Sequence, residues 1–326
     1  MIKVAVSDFT FSDLAIERQV LASCDVDFIE AQCHTEEELI AQMSEVDYII
    51  TQYAPISARV IPSLERCKVI SRYGVGVDNI DLEAASQAGI PVCNVPDYCV
   101  NEVADHALAL MLGATRYIVQ GAQCVRSGRW EFPAADSNNV RVLSEMAVGL
   151  LGCGRIGRGV ATRLRGFGCR LLACDPYVSN EDIISAGAIP VSFEELLAES
   201  DVVSLHTPSN SETRGIISAE VLAQMKDGVI LVNVSRGDLV VTDDLILAIE
   251  SGKVQAAAVD VTDPEPLPTG HPLAALENVI ITAHFAAVSQ KAMLELRQRT
   301  AGAIASAIRG EVLQNVVNGV DGLRQL

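Results

Sequence analysis

Two groups of residues in this sequence have the types and spacing that chemistry requires. The first is Gly152-Cys153-Gly154-Arg155-Ile156-Gly157, which follows the apolar run Val148–Leu151 and opens a helical pattern. In such a strand–turn–helix setting, Gly152 allows a tight turn, Gly154 lets backbone approach a pyrophosphate, and Gly157 permits close helix packing. The unpaired N–H groups of the helix start, with Arg155 and Ile156, would supply an anion site. Asp175 closes the next strand pattern, Leu-Leu-Ala-Cys-Asp. A carboxylate there can accept from both adenosine ribose hydroxyls and would repel a 2′-phosphate, so the expected cofactor is NAD rather than NADP. Without the glycines, Asp175 would read as an ordinary turn or helix-capping aspartate. Further segments at strand ends, His206-Thr207-Pro208, Val234 and Asp260, are placed with the cofactor contacts. His206 could as readily be a satisfied turn histidine.

The second group is Arg236, Glu265 and His284, each at or just after the end of a predicted strand. Hydride transfer to a keto acid needs a cation to hold the carboxylate and polarise the carbonyl. It also needs an acid for the developing alkoxide, and a partner to tune that acid. Arg236, in Asn-Val-Ser-Arg-Gly, could form a two-pronged clamp that lysine cannot. His284 is the acid/base candidate, because an imidazole titrates near neutrality. Glu265, between two prolines, could bond the far imidazole nitrogen and fix its tautomer. Taken singly, each has a plainer reading: a surface or ion-pair arginine, a structural histidine, a solvent-facing loop acid. His34, His106 and His271 have no ligand-like spacing with one another or with cysteines, so no metal site is expected.

The elements that would position these residues are legible as short apolar runs separated by polar helical ones, a pattern of parallel sheets with helices on their faces. Strands are predicted at 2–8, 48–51, 68–71 and 90–93, with an acidic helix around 34–45. After Pro96 a long helix rich in Ala, Leu and Met is predicted over 101–120. A second series of strands is predicted at 147–151, 170–174, 201–205, 229–234, 255–259 and 279–282. Helices at 155–167, 218–225 and 242–251 lie between them, and a last helix spans 289–309. The expected architecture is α/β, with two Rossmann-like domains of doubly wound parallel sheet. Residues 99–289 form the cofactor domain, inserted in a discontinuous substrate domain made of 1–98 and the returning segment 290–326.

Composition narrows the partners. The formal charge is −18, from 42 acidic against 24 basic residues, without a basic cluster. Such a surface argues against nucleic-acid and anionic-membrane binding. The nine cysteines, an odd number without a CxxC pair, read as core residues in a reducing compartment. The first residues form a strand pattern rather than a signal peptide, and no stretch reaches the roughly 18 apolar residues of a membrane span. A cytoplasmic protein is expected.

Together these residues resemble the D-isomer-specific 2-hydroxyacid dehydrogenases, the family of phosphoglycerate dehydrogenase, hydroxypyruvate reductase and D-lactate dehydrogenase. Ser71-Arg72-Tyr73-Gly74-Val75-Gly76-Val77-Asp78-Asn79-Ile80 is similar to that family's first-domain loop. The resemblance implies that Val75 and Gly76 hold the substrate carboxylate through backbone N–H groups. Asn94-Val95-Pro96 and Val103-Ala104-Asp105-His106 resemble the crossing into the cofactor domain. The resemblance makes Arg236 the substrate-binding arginine, Glu265 the residue orienting the histidine, and His284 the proton donor and acceptor. It implies an NAD-dependent oxidoreductase that interconverts a small D-2-hydroxy acid and its 2-keto acid, and a homodimer joined through the cofactor domain.

Three departures from the family pattern stand out. Ala286 replaces a usual glycine, as it does in the related corepressors, whose tryptophan is here Ala287. Val142-Leu143-Ser144-Glu145-Met146 lacks the usual Gly-Lys turn. Nothing after residue 326 could form the regulatory domain of some phosphoglycerate dehydrogenases, so that domain's feedback regulation is not expected. An NAD-sensing, corepressor-like interaction protein is the alternative from another class, and a dehydrogenase of another small anion such as phosphite is a third. Side-chain specificity would depend on the loops at 51–54 and 72–76 and on Trp130 or a partner subunit.

Overall fold

The computed structural model describes residues 1–130 and 140–324. The chain divides into two compact units, Met1–Tyr98 together with Ser289–Leu326, and Cys99–Val288. Both are open parallel sheets with helices on their faces, the α/β architecture that the alternating apolar runs imply.

The first unit holds β1 (Ile2–Val6), β2 (Val26–Glu30), β3 (Tyr48–Thr51), β4 (Val69–Arg72) and β5 (Val92–Cys93) in the order β2-β1-β3-β4-β5. Strands β3, Tyr48-Ile49-Ile50-Thr51, and β4, Val69-Ile70-Ser71-Arg72, are buried along their whole length, so neither shows the apolar–polar alternation of a half-exposed strand. Alternate residues serve opposite faces. Val4, Val6, Tyr48, Ile50 and Val69 pack with Leu14, Leu21, Leu296 and Ile304. Ala5, Ile49 and Ile70 pack with Leu39, Met43, Ile61 and Ala85. The helix Gln290–Ile308 is held by a buried ion pair, in which Arg297 Nε and Nη2 donate to the two oxygens of Glu17 at 2.8 and 2.6 Å. Asn318 then bridges the segment around β5, accepting from Val92 N and donating to Ile90 O.

The second unit holds β6 (Ala147–Leu151), β7 (Arg170–Cys174), β8 (Ile189–Pro190), β9 (Val202–Leu205), β10 (Val229–Asn233), β11 (Val254–Val259) and β12 (Val279–Ile281). Their order is β12-β11-β10-β9-β6-β7-β8. The chain winds outward in both directions from β6, which pairs with β7 on one side and β9 on the other. Ligands of doubly wound sheets bind in the crevice beyond the strand ends at such a reversal, here after Leu151 and Leu205. The helix Arg155–Leu164 leaves that point and packs on the helix Val100–Thr115. A Cβ on Gly159 would come within 3.2 Å of the Ala104 methyl, and Arg163 pairs with Asp105 across the contact.

Three elements differ from expectation. Strand β2 lies at the sheet edge, where Asp27 and Glu30 face solvent and hide the apolar alternation of Val26 and Phe28. Strand β8 has only two residues. The single helix expected over 101–120 is two, Val100–Thr115 and Ile118–Arg126, broken at Tyr117, whose φ of 54° is left-handed. The Tyr117 hydroxyl accepts from Gln255 at 2.8 Å, a tertiary bond that local propensity does not encode. All nine cysteines are free thiols, six of them buried. Among the described residues, no helix is long and apolar enough to cross a membrane, and no cluster of His, Cys, Asp and Glu is arranged to hold a metal.

Candidate active site

The glycine turn after β6 is shaped by close backbone approach. Gly152 has φ of 96°, and a Cβ there would lie 2.6 Å from the His206 carbonyl carbon. A Cβ on Gly157 would lie 2.3 Å from the carbonyl oxygen of Gly152. Gly154 is the exception: it is the cap of the helix Arg155–Leu164, and among the described residues, its chain neighbours aside, no heavy atom lies within 4 Å of the position its Cβ would take. Two of the three glycines are therefore required by the protein itself, whereas Gly154 keeps a space open. Among the described residues, no acceptor meets the N–H of Arg155 or Ile156. An open face lined by orphan helix-start donors fits the pyrophosphate of a dinucleotide.

Asp175 stands where the sequence places it, at the end of β7, and has a task besides any ribose. Its Oδ2 accepts from Cys153 N at 2.7 Å and its Oδ1 from Tyr177 N at 2.9 Å, so it braces the glycine turn from the side. Across the crevice, His206 N donates to Leu151 O, and Pro208 O accepts from the Thr213 hydroxyl. The backbone N of Thr207 lies beside Gly152. The His206 ring bonds Ser204 Oγ through Nε2 at 2.9 Å. Its Nδ1 is shut away from solvent with no partner among the described residues. Burial pushes its pKa down to about 4, so the ring is neutral over the physiological range. One ring nitrogen of His206 is thus satisfied, as in a turn histidine, and the other is enclosed without a partner among the described residues.

Arg236, Glu265 and His284 lie in the segments that follow β10, β11 and β12. Val234 is buried at the end of β10. Asn233 accepts from Ser235 N and donates to Arg236 O, and Ser235 Oγ donates to Leu205 O, which fixes the turn presenting Arg236. Gly237 lies flat on the Thr262–Asp263 peptide: a Cβ there would be 2.0 Å from the Thr262 carbonyl. That contact ties the Arg236 turn to the loop carrying Glu265. Glu265 Oε1 meets His284 Nδ1 at 2.6 Å. With Nδ1 donating to the carboxylate, Nε2 is the nitrogen left for a ligand. Burial raises the pKa of Glu265, but the bond and charge of His284, the Thr262 N–H and the Arg236 charge outweigh it and hold the carboxyl below its usual range.

His284 itself has a left-handed backbone, φ 50°, unusual for a residue other than glycine. Asp260 holds the turn in place. Its carbonyl accepts from His284 N at 2.8 Å, Oδ1 from Phe285 N at 3.1 Å, and Oδ2 from Ala286 N at 2.9 Å. Asp260 thus has a structural duty that its placement among cofactor contacts did not foresee. Thr282, which donates to Asp260 Oδ1 at 2.5 Å, was missed altogether.

In the first unit, the loop after β4 is tightly wound. A Cβ on Gly74 would collide with the Arg72 guanidinium, and Asn94 Nδ2 donates to Val75 O at 2.6 Å. Among the described residues, no acceptor meets the N–H of Val75 or Gly76, so both can bind an anion. Asp8, also missed, accepts from Thr51 Oγ1 and from the N–H groups of Gln52, Tyr53 and Ala54, and so sets the shape of the 51–54 loop.

Residues 108–286 match the family model described as "D-isomer specific 2-hydroxyacid dehydrogenase, NAD binding domain". The chain belongs to the D-isomer-specific 2-hydroxyacid dehydrogenase family. Among curated members, it is 40% identical over 285 residues to a D-3-phosphoglycerate dehydrogenase of Archaeoglobus fulgidus, covering 87% of this chain and 54% of the relative. It is 35% identical to a glyoxylate reductase of Korarchaeum cryptofilum, covering 86% of this chain and 85% of that one. Among solved structures, D-lactate dehydrogenase from Aquifex aeolicus, complexed with NAD and lactic acid, matches with a TM-score of 0.85. That match is at 29% identity and covers 94% of this chain and 96% of that one. The chain spans about half the length of the first curated relatives it matches. The family's NAD-binding domain falls on the unit that carries the glycine turn and the Arg236, Glu265 and His284 group.

Proposed function

We propose that this protein is an NAD-dependent oxidoreductase that interconverts a small D-2-hydroxy acid and its 2-keto acid. The observation that carries the proposal is the 2.6 Å bond between His284 and Glu265, with the Arg236 charge acting on the same carboxylate, in the unit that holds the dinucleotide-type turn. The cofactor would be held by Gly152, Gly154, Arg155, Ile156 and Gly157 at the pyrophosphate and by Asp175 at the ribose. His206, Thr207, Pro208, Val234 and Asp260 would line the rest. When bound in its reduced form, NAD supplies the hydride.

The chain's own residues do the remainder. Arg236 clamps the substrate carboxylate with two parallel N–H bonds and polarises the carbonyl. In the first unit, the N–H groups of Val75 and Gly76 are proposed to bind a substrate carboxylate. Glu265 keeps one His284 proton on Nδ1, and protonated His284 gives its Nε2 proton to the carbonyl oxygen as that oxygen gains charge. In oxidation, neutral His284 takes the hydroxyl proton at the same nitrogen. Residues 1–98 with the returning C-terminal segment would form the substrate domain, and 99–288 the cofactor domain. The free, largely buried thiols support a reducing, cytoplasmic setting. A homodimer joined through the cofactor domain is proposed on the resemblance to the family alone.

The test is NADH oxidation with glyoxylate, hydroxypyruvate, pyruvate, 3-phosphohydroxypyruvate and bulkier 2-keto acids. Turnover with at least one of them, abolished by His284→Ala, is expected. Cofactor binding without turnover across the panel would overturn the proposal in favour of a cofactor-sensing interaction protein.

A further inference from the structure

His106 has no ligand-like spacing with the other histidines or the cysteines, and it lies in the helix Val100–Thr115. In the fold it lies against the turn that carries His284. Its Nε2 is 3.0 Å from Thr282 Oγ1 and 3.5 Å from Asp260 Oδ1, and its side chain is only 16% exposed. Its ring meets the Phe285 ring edge-on, centroids 5.0 Å apart at 72°. His106 therefore grips residues on both sides of His284, two positions before it and one after.

The proton order along this chain follows from the groups themselves. Asp260 acts only as an acceptor, from Thr282, Phe285 and Ala286. A hydroxyl has a single proton, and that of Thr282 is given to Asp260. Toward His106 the Thr282 oxygen can then only accept, so His106 must carry its proton on Nε2 and donate. The run of bonds is His106 Nε2–H to Thr282 Oγ–H to Asp260 Oδ1, and Asp260 in turn collects the N–H groups of residues 284, 285 and 286.

We propose that His106 is a positioning residue that holds the His284 turn in its left-handed conformation, and thereby aims the His284 imidazole at Glu265, through Thr282, Asp260 and Phe285. A non-glycine residue keeps a left-handed backbone only when its surroundings over-determine it. Here the surroundings are the three N–H bonds to Asp260, and His106 is the group that orders Asp260 from behind. The catalytic consequence rests on His284 being the acid/base, whereas the structural consequence does not.

The test separates the two by using His106→Phe, which keeps a ring against Phe285 but has no donor, and His106→Gln, whose Nε2 amide restores the donor. Thr282→Val breaks the same run of bonds with little change in shape. In the cofactor-free protein, the Nδ1 proton of His284 is observed by histidine-labelled NMR, where the five histidines allow assignment. That resonance should shift or vanish in His106→Phe and Thr282→Val and return in His106→Gln. With a 2-keto acid that turns over, kcat should fall about tenfold in the first two variants and by less than about threefold in His106→Gln, with the KM for NADH unchanged. An unaltered Nδ1 resonance in both His106→Phe and Thr282→Val overturns the proposal, whatever happens to kcat. If the parent protein turns over no 2-keto acid, the oxidoreductase reading fails and the NMR arm still decides the role of His106.

Discussion

Gly154 and Gly157 lie three residues apart in one turn, yet the structure assigns them opposite kinds of constraint. An alanine at 157 would place its Cβ 2.3 Å from a backbone oxygen that cannot swing aside. Relieving such an overlap requires moving the turn or the helix, at a cost of roughly 3 kcal/mol. For a cooperative unit of this size, that lowers Tm by roughly 6–12 °C. An alanine at 154 meets nothing within 4 Å among the described residues beyond its chain neighbours, and the residue's φ of −68° is open to L-amino acids. The weaker helix cap costs up to about 1 kcal/mol, and the stiffer unfolded chain returns about 0.4–1, so Tm should stay within about 2 °C. The methyl would instead fill the space through which a pyrophosphate reaches the helix-start N–H groups. Losing one or two charge-assisted bonds weakens NADH binding by about 10- to 100-fold. Scanning calorimetry of both variants, with a fluorescence titration of NADH into Gly154→Ala, checks both halves. Parent-like NADH affinity in Gly154→Ala would refute this placement of the cofactor. A Tm loss as large as that of Gly157→Ala would refute the steric argument.

Glu265→Gln removes the charge but not the size of the His284 partner, so kcat should fall about 100-fold while NADH affinity is retained; equal loss in both would point to a collapsed loop instead. Arg236→Lys keeps the charge and loses the two-pronged geometry, and kcat/KM for the keto acid should drop at least tenfold, read by initial rates. His206 resists protonation in the folded state down to about pH 4, whereas the unfolded imidazole binds a proton near 6.5. Stability is therefore lost as pH falls through that interval, by roughly 3 kcal/mol in all. Urea unfolding of His206→Gln should lack that share of the slope, and identical slopes would sink the idea. Asp201 is half-buried, and desolvation raises its pKa, but the Ala147 N–H, Arg141 and Lys226 outweigh this and lower it. Its contribution is present above the ordinary carboxylate range and lost as pH falls below about 4. Asp201→Asn should cost roughly 2 kcal/mol at pH 7, a difference that shrinks in acid unfolding curves below pH 4.

What could be read from the sequence was what is local or periodic. Strands β6 and β10 are built on the unbroken apolar runs Ala147–Leu151 and Val229–Val232, and the glycine turn announces itself by spacing. Arg236, Glu265 and His284 were legible because each is a reactive type at a strand end in a sheet whose ligands gather there. What escaped detection depends on partners distant in the chain. Nothing around Asp8 says that it will cap residues more than 40 positions away, and nothing around Thr282 or His106 says that they will meet across 176. Strand β2 escaped for a different reason: an edge strand is half wet, and its acidic residues mask its period. The break at Tyr117 has no glycine or proline to mark it, only a tertiary bond from Gln255.

The ion pair between Glu17 and Arg297 joins residues 280 positions apart, and both belong to the first unit. Cys99–Val288, by contrast, is a single uninterrupted stretch. A ribosome delivers the chain in one direction, so the second unit emerges whole, with all seven of its strands, while the first still lacks the helix that covers one face of its sheet. The order of synthesis thus sets an order of assembly, with the inner unit able to fold first and the outer one waiting for its last helix. The waiting itself adds little, since closing a longer loop costs only logarithmically more. The exposure is on the sheet face bearing Val4, Val6, Ile50 and Val69, which Leu14 and Leu21 cover only in part until Leu296 and Ile304 arrive, and it is there that a nascent chain would most need a chaperone.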